Sequence, residues 1–155
     1  MATLFGVEAT KILNQQPTEP VDVGTIGGVM RMHYDKFNLS ADLSTNDIIK
    51  MNDLLPKGAR VIDAMVKYSD LDASGGTIDF GWAVSSVSGE AADENGFIEA
   101  ADVTSADTIK ASDNQANAAG IGKKFTESVQ PQIKIEGDTD ATSGSIETFI
   151  WYVMD

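Results

Sequence analysis

The side chains best suited to chemistry in this sequence are its carboxylates. Asp70-Leu71-Asp72-Ala73-Ser74-Gly75 places oxygen-bearing groups at alternate positions and glycine sixth, like the opening of a calcium loop. The twelfth position, which should be a bidentate glutamate, is Gly81. The run from Asp138 through Asp140 and Thr142 to Gly144 fails in the same way, with glycine one place late and Phe149 twelfth. Both read first as polar hairpin loops in which Asp shapes the turn. Carboxylate pairs such as Asp63 with Asp79, or Glu136 with Glu147, could face each other across strands. General acid–base work would need one of them to have a raised pKa in a cleft. His33 is the single histidine, and there is no cysteine, so a nitrogen–sulfur metal site has no second ligand. Asp35 lies two residues on, so a His–Asp pair is sterically possible, but His33 reads as a surface or interface residue on the polar face of its strand. Trp82, Trp151, Phe80, Phe149 and Tyr152 could line a sugar-binding face. Their alternate spacing reads first as core and second as subunit interface. The expectation is a protein with no catalytic residues, no cofactor and no metal, one that binds and assembles.

Composition supports that expectation. The chain has 155 residues, enough for one domain with a sizeable core. Its 24 Asp and Glu against 11 Lys and Arg give a net charge of -13. Such a surface repels a phosphate backbone or an anionic membrane, and only Arg31 and Arg60 supply guanidinium groups. No stretch approaches the roughly 20 apolar residues of a membrane span. The start, Met1-Ala2-Thr3-Leu4-Phe5-Gly6, has neither the basic region nor the apolar run of a secretory signal. A soluble product made in the cytoplasm is expected.

The elements that would position these groups are short strands. Residues 1–28 read as an arm: Pro17 and Pro20 break any helix begun by Glu8–Asn14, and Gly24, Gly27 and Gly28 loosen the approach to the first strand. Leu4, Phe5, Val7, Ile12 and Leu13 favour contact with a neighbour over full disorder. Residues 29–155 read as one β-domain. Strands are expected at Val29–Phe37, with Met30, Met32 and Tyr34 alternating against Arg31, His33 and Asp35, and at Asp47–Met51, Ala59–Tyr68, Thr77–Val84 and Phe97–Ala101. Three more follow at Lys124–Val129, Gln132–Glu136 and Ser145–Met154. Broken alternation between Ile62 and Met65 predicts a bulge or two-sided burial. Asn95-Gly96 signals a turn, and 102–122 reads as a loop with a little helix around Ala106–Ser112. The last strand is apolar on both faces, so it is central, or one face meets a partner. About eight strands between turn signals predict an all-β antiparallel β-sandwich, jelly-roll-like, with an extended N-terminal arm.

Ile49-Lys50-Met51 followed by Leu55-Pro56-Lys57-Gly58-Ala59-Arg60-Val61 resembles small virion proteins of tailed bacteriophages. The Gly-Gly-Thr-Ile-Asp-Phe-Gly run at 75–81, Phe97-Ile98-Glu99-Ala100-Ala101, the closing strand after Thr142-Ser143-Gly144 and the opening Ala2–Thr10 carry the same likeness. The resemblance is to capsid decoration (cement) and head-associated proteins. It implies a jelly-roll-like fold, a place on the outer surface of a capsid, and two partners. These are the major capsid protein and other copies of the chain, as a trimer or dimer. Leu4, Phe5 and Val7 in the arm, and Leu55, Lys57 and Arg60 in the loop at 54–60, are the candidate contacts. Two alternatives belong to other classes. One is a head fibre, collar or host-recognition module. The other is a calcium-dependent lectin or small sandwich enzyme, since carboxylates alone can perform glycosidase chemistry.

Overall fold

A computed structural model describes residues 29–51, 54–71, 75–84, 89–113 and 119–154. The arm at 1–28, with Leu4, Phe5 and Val7, lies outside the described residues. So do Asp72 and Ser74 of the first calcium-like run.

Eight strands form: β1 (Arg31–Leu39), β2 (Ile48–Lys50), β3 (Ala59–Tyr68), β4 (Thr77–Val84), β5 (Asp93–Asp102), β6 (Asp107–Lys110), β7 (Val129–Ile135) and β8 (Gly144–Met154). They make two four-stranded sheets in the orders β1-β8-β3-β6 and β2-β7-β4-β5, with antiparallel pairing throughout. This is the jelly-roll order, two interlocked Greek keys. We call the first sheet A and the second sheet B.

The inner faces meet in one apolar core. Sheet A contributes Val61, Ala64, Val66, Ile146 and Ile150; sheet B contributes Ile78, Phe80, Trp82, Phe97, Ile98 and Ile133. The densest part is aromatic. Trp82 packs against Phe97 (5.0 Å between ring centroids) and edge-on against Phe125 (5.1 Å), and Phe97 also meets Phe80 (5.1 Å). The Trp82 indole N–H donates to the Ala91 carbonyl at 3.0 Å.

Several local expectations change. Asn95-Gly96 is no turn: both residues lie inside β5, and a Cβ at Gly96 would overlap the Trp82 indole. The glycine is there for close approach. The 102–122 stretch holds β6 in place of a helix, and no helix forms among the described residues. Four residues suffice because Val66↔Ile109 and Lys67↔Thr108 pair this strand onto the edge of β3. The irregularity near Ile62 is a bulge, with the register shifting between Val61 and Asp63.

Strand β7 runs through Pro131, where the sequence reading put a break. The segment 124–128 is no strand and meets β3 through the Arg60↔Lys124 bridge. A proline in a central strand removes one ladder donor. Here Met51 N–H donates to the Pro131 carbonyl (3.0 Å), so the missing N–H faces the end of β2. The Gln130 side-chain amide donates to the Met51 carbonyl in its place.

Candidate functional site

Register decides which groups face outward. Residues directly opposite in an antiparallel pair share a face. His33 lies opposite Ile150, and Asp35 opposite Thr148, both buried. So His33 and Asp35 point inward and are half-buried, a correction to the surface placement read from the sequence. Met32 and Tyr34 lie opposite Trp151 and Phe149 and point outward. The period of two was legible; its hand was not. Half-buried Phe149 and Trp151 on β8 lie beside Tyr34 and Met32 on the outside of sheet A.

The carboxylate pairs separate as well. Asp63 sits in sheet A and Asp79 in sheet B; Glu136 follows β7 and Glu147 is on β8, in different sheets. Asp63 accepts from the Ser112 N–H (3.2 Å) and hydroxyl (3.1 Å), fixing the end of β6. Asp138 accepts from the Thr45 N–H (2.5 Å) and hydroxyl (2.7 Å), and these bonds hold its carboxyl below the ordinary carboxylate range. One oxygen, Oδ1, accepts both and ties the 138–144 loop to the β1–β2 loop. That is turn chemistry.

The pairing that forms is Asp79 with Glu136, in a groove of about 640 Å³ that Glu94, Glu99 and Lys134 also line. Burial pushes the Asp79 carboxyl up, partly opposed by the Ala100 N–H that donates to it at 2.8 Å, with Glu136 and Glu99 adding to the rise. A hydrogen bond from Lys134 holds Glu136 down. Lys134 bridges Glu136 and Glu94 at 2.9 Å each, and both partners raise its pKa. Ala100 has φ 51°, the left-handed region that alanine rarely occupies, beside two register shifts between β4 and β5. Asp79 braces that irregular backbone. The diverging pKa directions of the pair resemble an acid–base arrangement, but the groups that cause them are fully engaged in holding β4, β5 and β7 together.

The loop at 54–60 is built at one end of the sandwich. Pro56–Ala59 form a turn closed by the Ala59 N–H on the Pro56 carbonyl (3.0 Å), with Gly58 at φ 86° in the third place. Leu55 is fully buried and exchanges both backbone bonds with Val129 (2.9 and 3.1 Å). It anchors the loop, so its expected place as a surface contact is corrected to one in the core. Lys57 is exposed and pairs with Glu127 at 3.0 Å; Arg60 reaches the Gly122 carbonyl at 3.3 Å. Lys123 pairs with the buried Glu90 at 2.6 Å and lies over the Trp82 and Phe125 rings at 5.7 and 5.6 Å. Burial raises Glu90, but Lys123 and the Thr126 N–H and hydroxyl together outweigh it, so its carboxyl sits low. An open cleft of about 680 Å³ lies here between Lys57, Lys124, Phe125 and Glu127. Four of the 11 basic side chains, Lys57, Arg60, Lys123 and Lys124, therefore gather at one end of an acidic protein. The registers Arg31↔Tyr152 and Ala59↔Met154 put the start of β1 at this same end. The loop and Val29, where the described residues begin, are neighbours, which linear spacing does not reveal.

No protein-family model matches the sequence, and no curated protein matches it. Among solved structures, a chain of the cyanophage Pam1 capsid asymmetric unit superposes with a TM-score of 0.64 at 18% identity, covering 84% of this chain and 88% of that one. A chain of the capsid of Ralstonia phage GP4 superposes with a TM-score of 0.60 at 20% identity, covering 81% of this chain and 85% of that one. At these identities the likeness is one of fold, and it extends over nearly the whole sandwich: this chain shares its β-sandwich with chains found in phage capsids.

Proposed function

We propose that this chain is a structural virion protein that binds the outer surface of a phage capsid and stabilises the shell. The observation that carries the reading is the fold match over more than four fifths of the chain to components of two phage capsids. In this reading residues 1–28 are an arm and 29–155 the sandwich. The partners are the major capsid protein and further copies of the chain, as a trimer or dimer. Leu4, Phe5 and Val7 grip a neighbour, and Lys57 and Arg60, held in place by Leu55, contact the shell. The clustering of Lys57, Arg60, Lys123 and Lys124 supports this, since it gives an acidic protein one end that an acidic partner surface can approach. The work is done by binding alone. A protein that binds only the assembled shell stabilises it by mass action, and many linked weak contacts give tight attachment.

Copy number in purified virions tests the reading. A ratio to the major capsid protein near one is the expected result. A handful of copies would move the protein to a fibre, collar or host-recognition role, and absence from the particle would sink the structural reading altogether.

A further inference from the structure

The outer face of sheet A carries an apolar strip that nothing in the described residues covers. Met30, Met32 and Tyr34 are 63%, 54% and 48% exposed. Tyr34 packs against Phe149 (4.9 Å between ring centroids), and Phe149 stacks on Trp151 (6.1 Å, interplanar angle 11°). Exposed Ile62, at the β3 bulge, extends the strip, and a groove of about 290 Å³ opens between Met30, Ile62, Asp63, Lys110 and Trp151. A contiguous apolar face of this kind marks a contact surface. Its margin is basic. Lys36 and Lys67 share the single carboxylate of Glu147, at 3.6 and 3.9 Å, and Lys110 stands at the groove. In a chain of net charge -13, a face with lysine in excess is selective for an apolar partner flanked by acidic groups.

We propose that this face is the docking site for residues 4–13 of the same chain. That segment carries Leu4, Phe5, Val7, Ile12 and Leu13, and the stretch that follows it carries Glu19 and Asp22. The chain re-enters the structure at Val29, directly before Met30 on the strip. The connector, residues 14–28, spans roughly 20–23 Å root-mean-square if it behaves as a flexible coil. Crossing from β1 over β8 to β3 takes only about 10 Å at the usual strand spacing. The tether is about twice that span, so it reaches the strip without stretching, and it gives the segment an effective concentration on the order of millimolar. A second copy in dilute solution cannot compete with that. Gly24, Gly27 and Gly28 permit the reversal that returning to the sheet requires. The inference concerns the free chain and stands apart from shell binding.

Acrylamide quenching of indole fluorescence tests it in the full chain. Trp82 is buried, so the quenchable signal comes from Trp151. Replacing Leu4, Phe5, Ile12 and Leu13 together by Ser should increase quenching and shift the emission to the red, equally at low and high protein concentration. Trp151→Phe should abolish that difference, which ties it to the strip. Unchanged quenching in the Ser variant would overturn the proposal. A difference that grows with protein concentration would also overturn it, by making a second copy the occupant.

Discussion

Glu90 and Asp79 are both buried carboxylates, yet the fold treats them in opposite ways. Glu90 accepts from Lys123 and from Thr126, so its folded form favours the ionised state. A carboxyl lowered on folding contributes stability above its ordinary pKa of 4.5 and loses it as pH falls through the folded value. Glu90→Gln should cost about 1–3 kcal/mol at pH 7, a fall in Tm of several degrees. The gap to the unsubstituted protein should close below pH 4.5. Asp79 is raised on folding, so its contribution is complete below its ordinary 3.8 and is lost as pH climbs through the folded value. Asp79→Asn keeps the acceptor for Ala100 and removes that loss. It should stabilise the protein at neutral pH and make no difference in acid. Thermal melts of the two variants across pH 3–8 read both signs in one series.

At the level of strands, the Gln130–Pro131 pair shows how a central strand tolerates a proline. The Gln130 amide satisfies the Met51 carbonyl that Pro131 cannot reach. Gln130→Ala should leave that carbonyl without its donor and cost about 1–3 kcal/mol, measured by denaturant unfolding with an unchanged slope. The same pair explains what was legible in the sequence. Ala59–Tyr68 and Thr77–Val84 were readable to the residue, because apolar runs rich in β-branched or aromatic residues lie there between clear turn signals. Broken alternation marked the irregularity near Ile62 but left a bulge and two-sided burial as alternatives; the register shift makes it a bulge. Strand β7 was not readable, because proline breaks the pattern and its repair comes from a side chain. Strand β6 was not, because Asp107–Lys110 has almost no buried face and exists by pairing with β3. The inward turn of His33 and Asp35 was hidden because alternation fixes two faces without saying which one meets the core. Near the candidate site, the turn at Pro56–Ala59 was legible from its Pro and Gly. The Asp79–Glu136 contact was not, since it depends on the tertiary register of β4 on β7.

Basic side chains are unevenly spread over the whole molecule. One end gathers Lys57, Arg60, Lys123 and Lys124, while the net charge is -13. If that end meets the shell, Lys57→Glu with Arg60→Glu should weaken attachment at least tenfold in co-sedimentation with empty capsids, and added salt should narrow the difference. Lys57→Glu alone should change the melting temperature of the free protein little, because Lys57 is exposed and its pair with Glu127 is of the surface kind. Strand order carries a further consequence. The last two strands of the sandwich, β7 and β8, occupy inner positions in the two sheets, each between strands made earlier. A ribosome that has delivered everything up to residue 128 has therefore delivered two sheets with a gap in each. At roughly 5–20 residues per second the gaps stay open for a second or more. During that interval the nascent chain cannot close its core, and truncated products carry unfilled slots that a cellular protease can recognise. Only polypeptides translated through Met154 can fill both gaps, so the topology itself separates complete copies from incomplete ones.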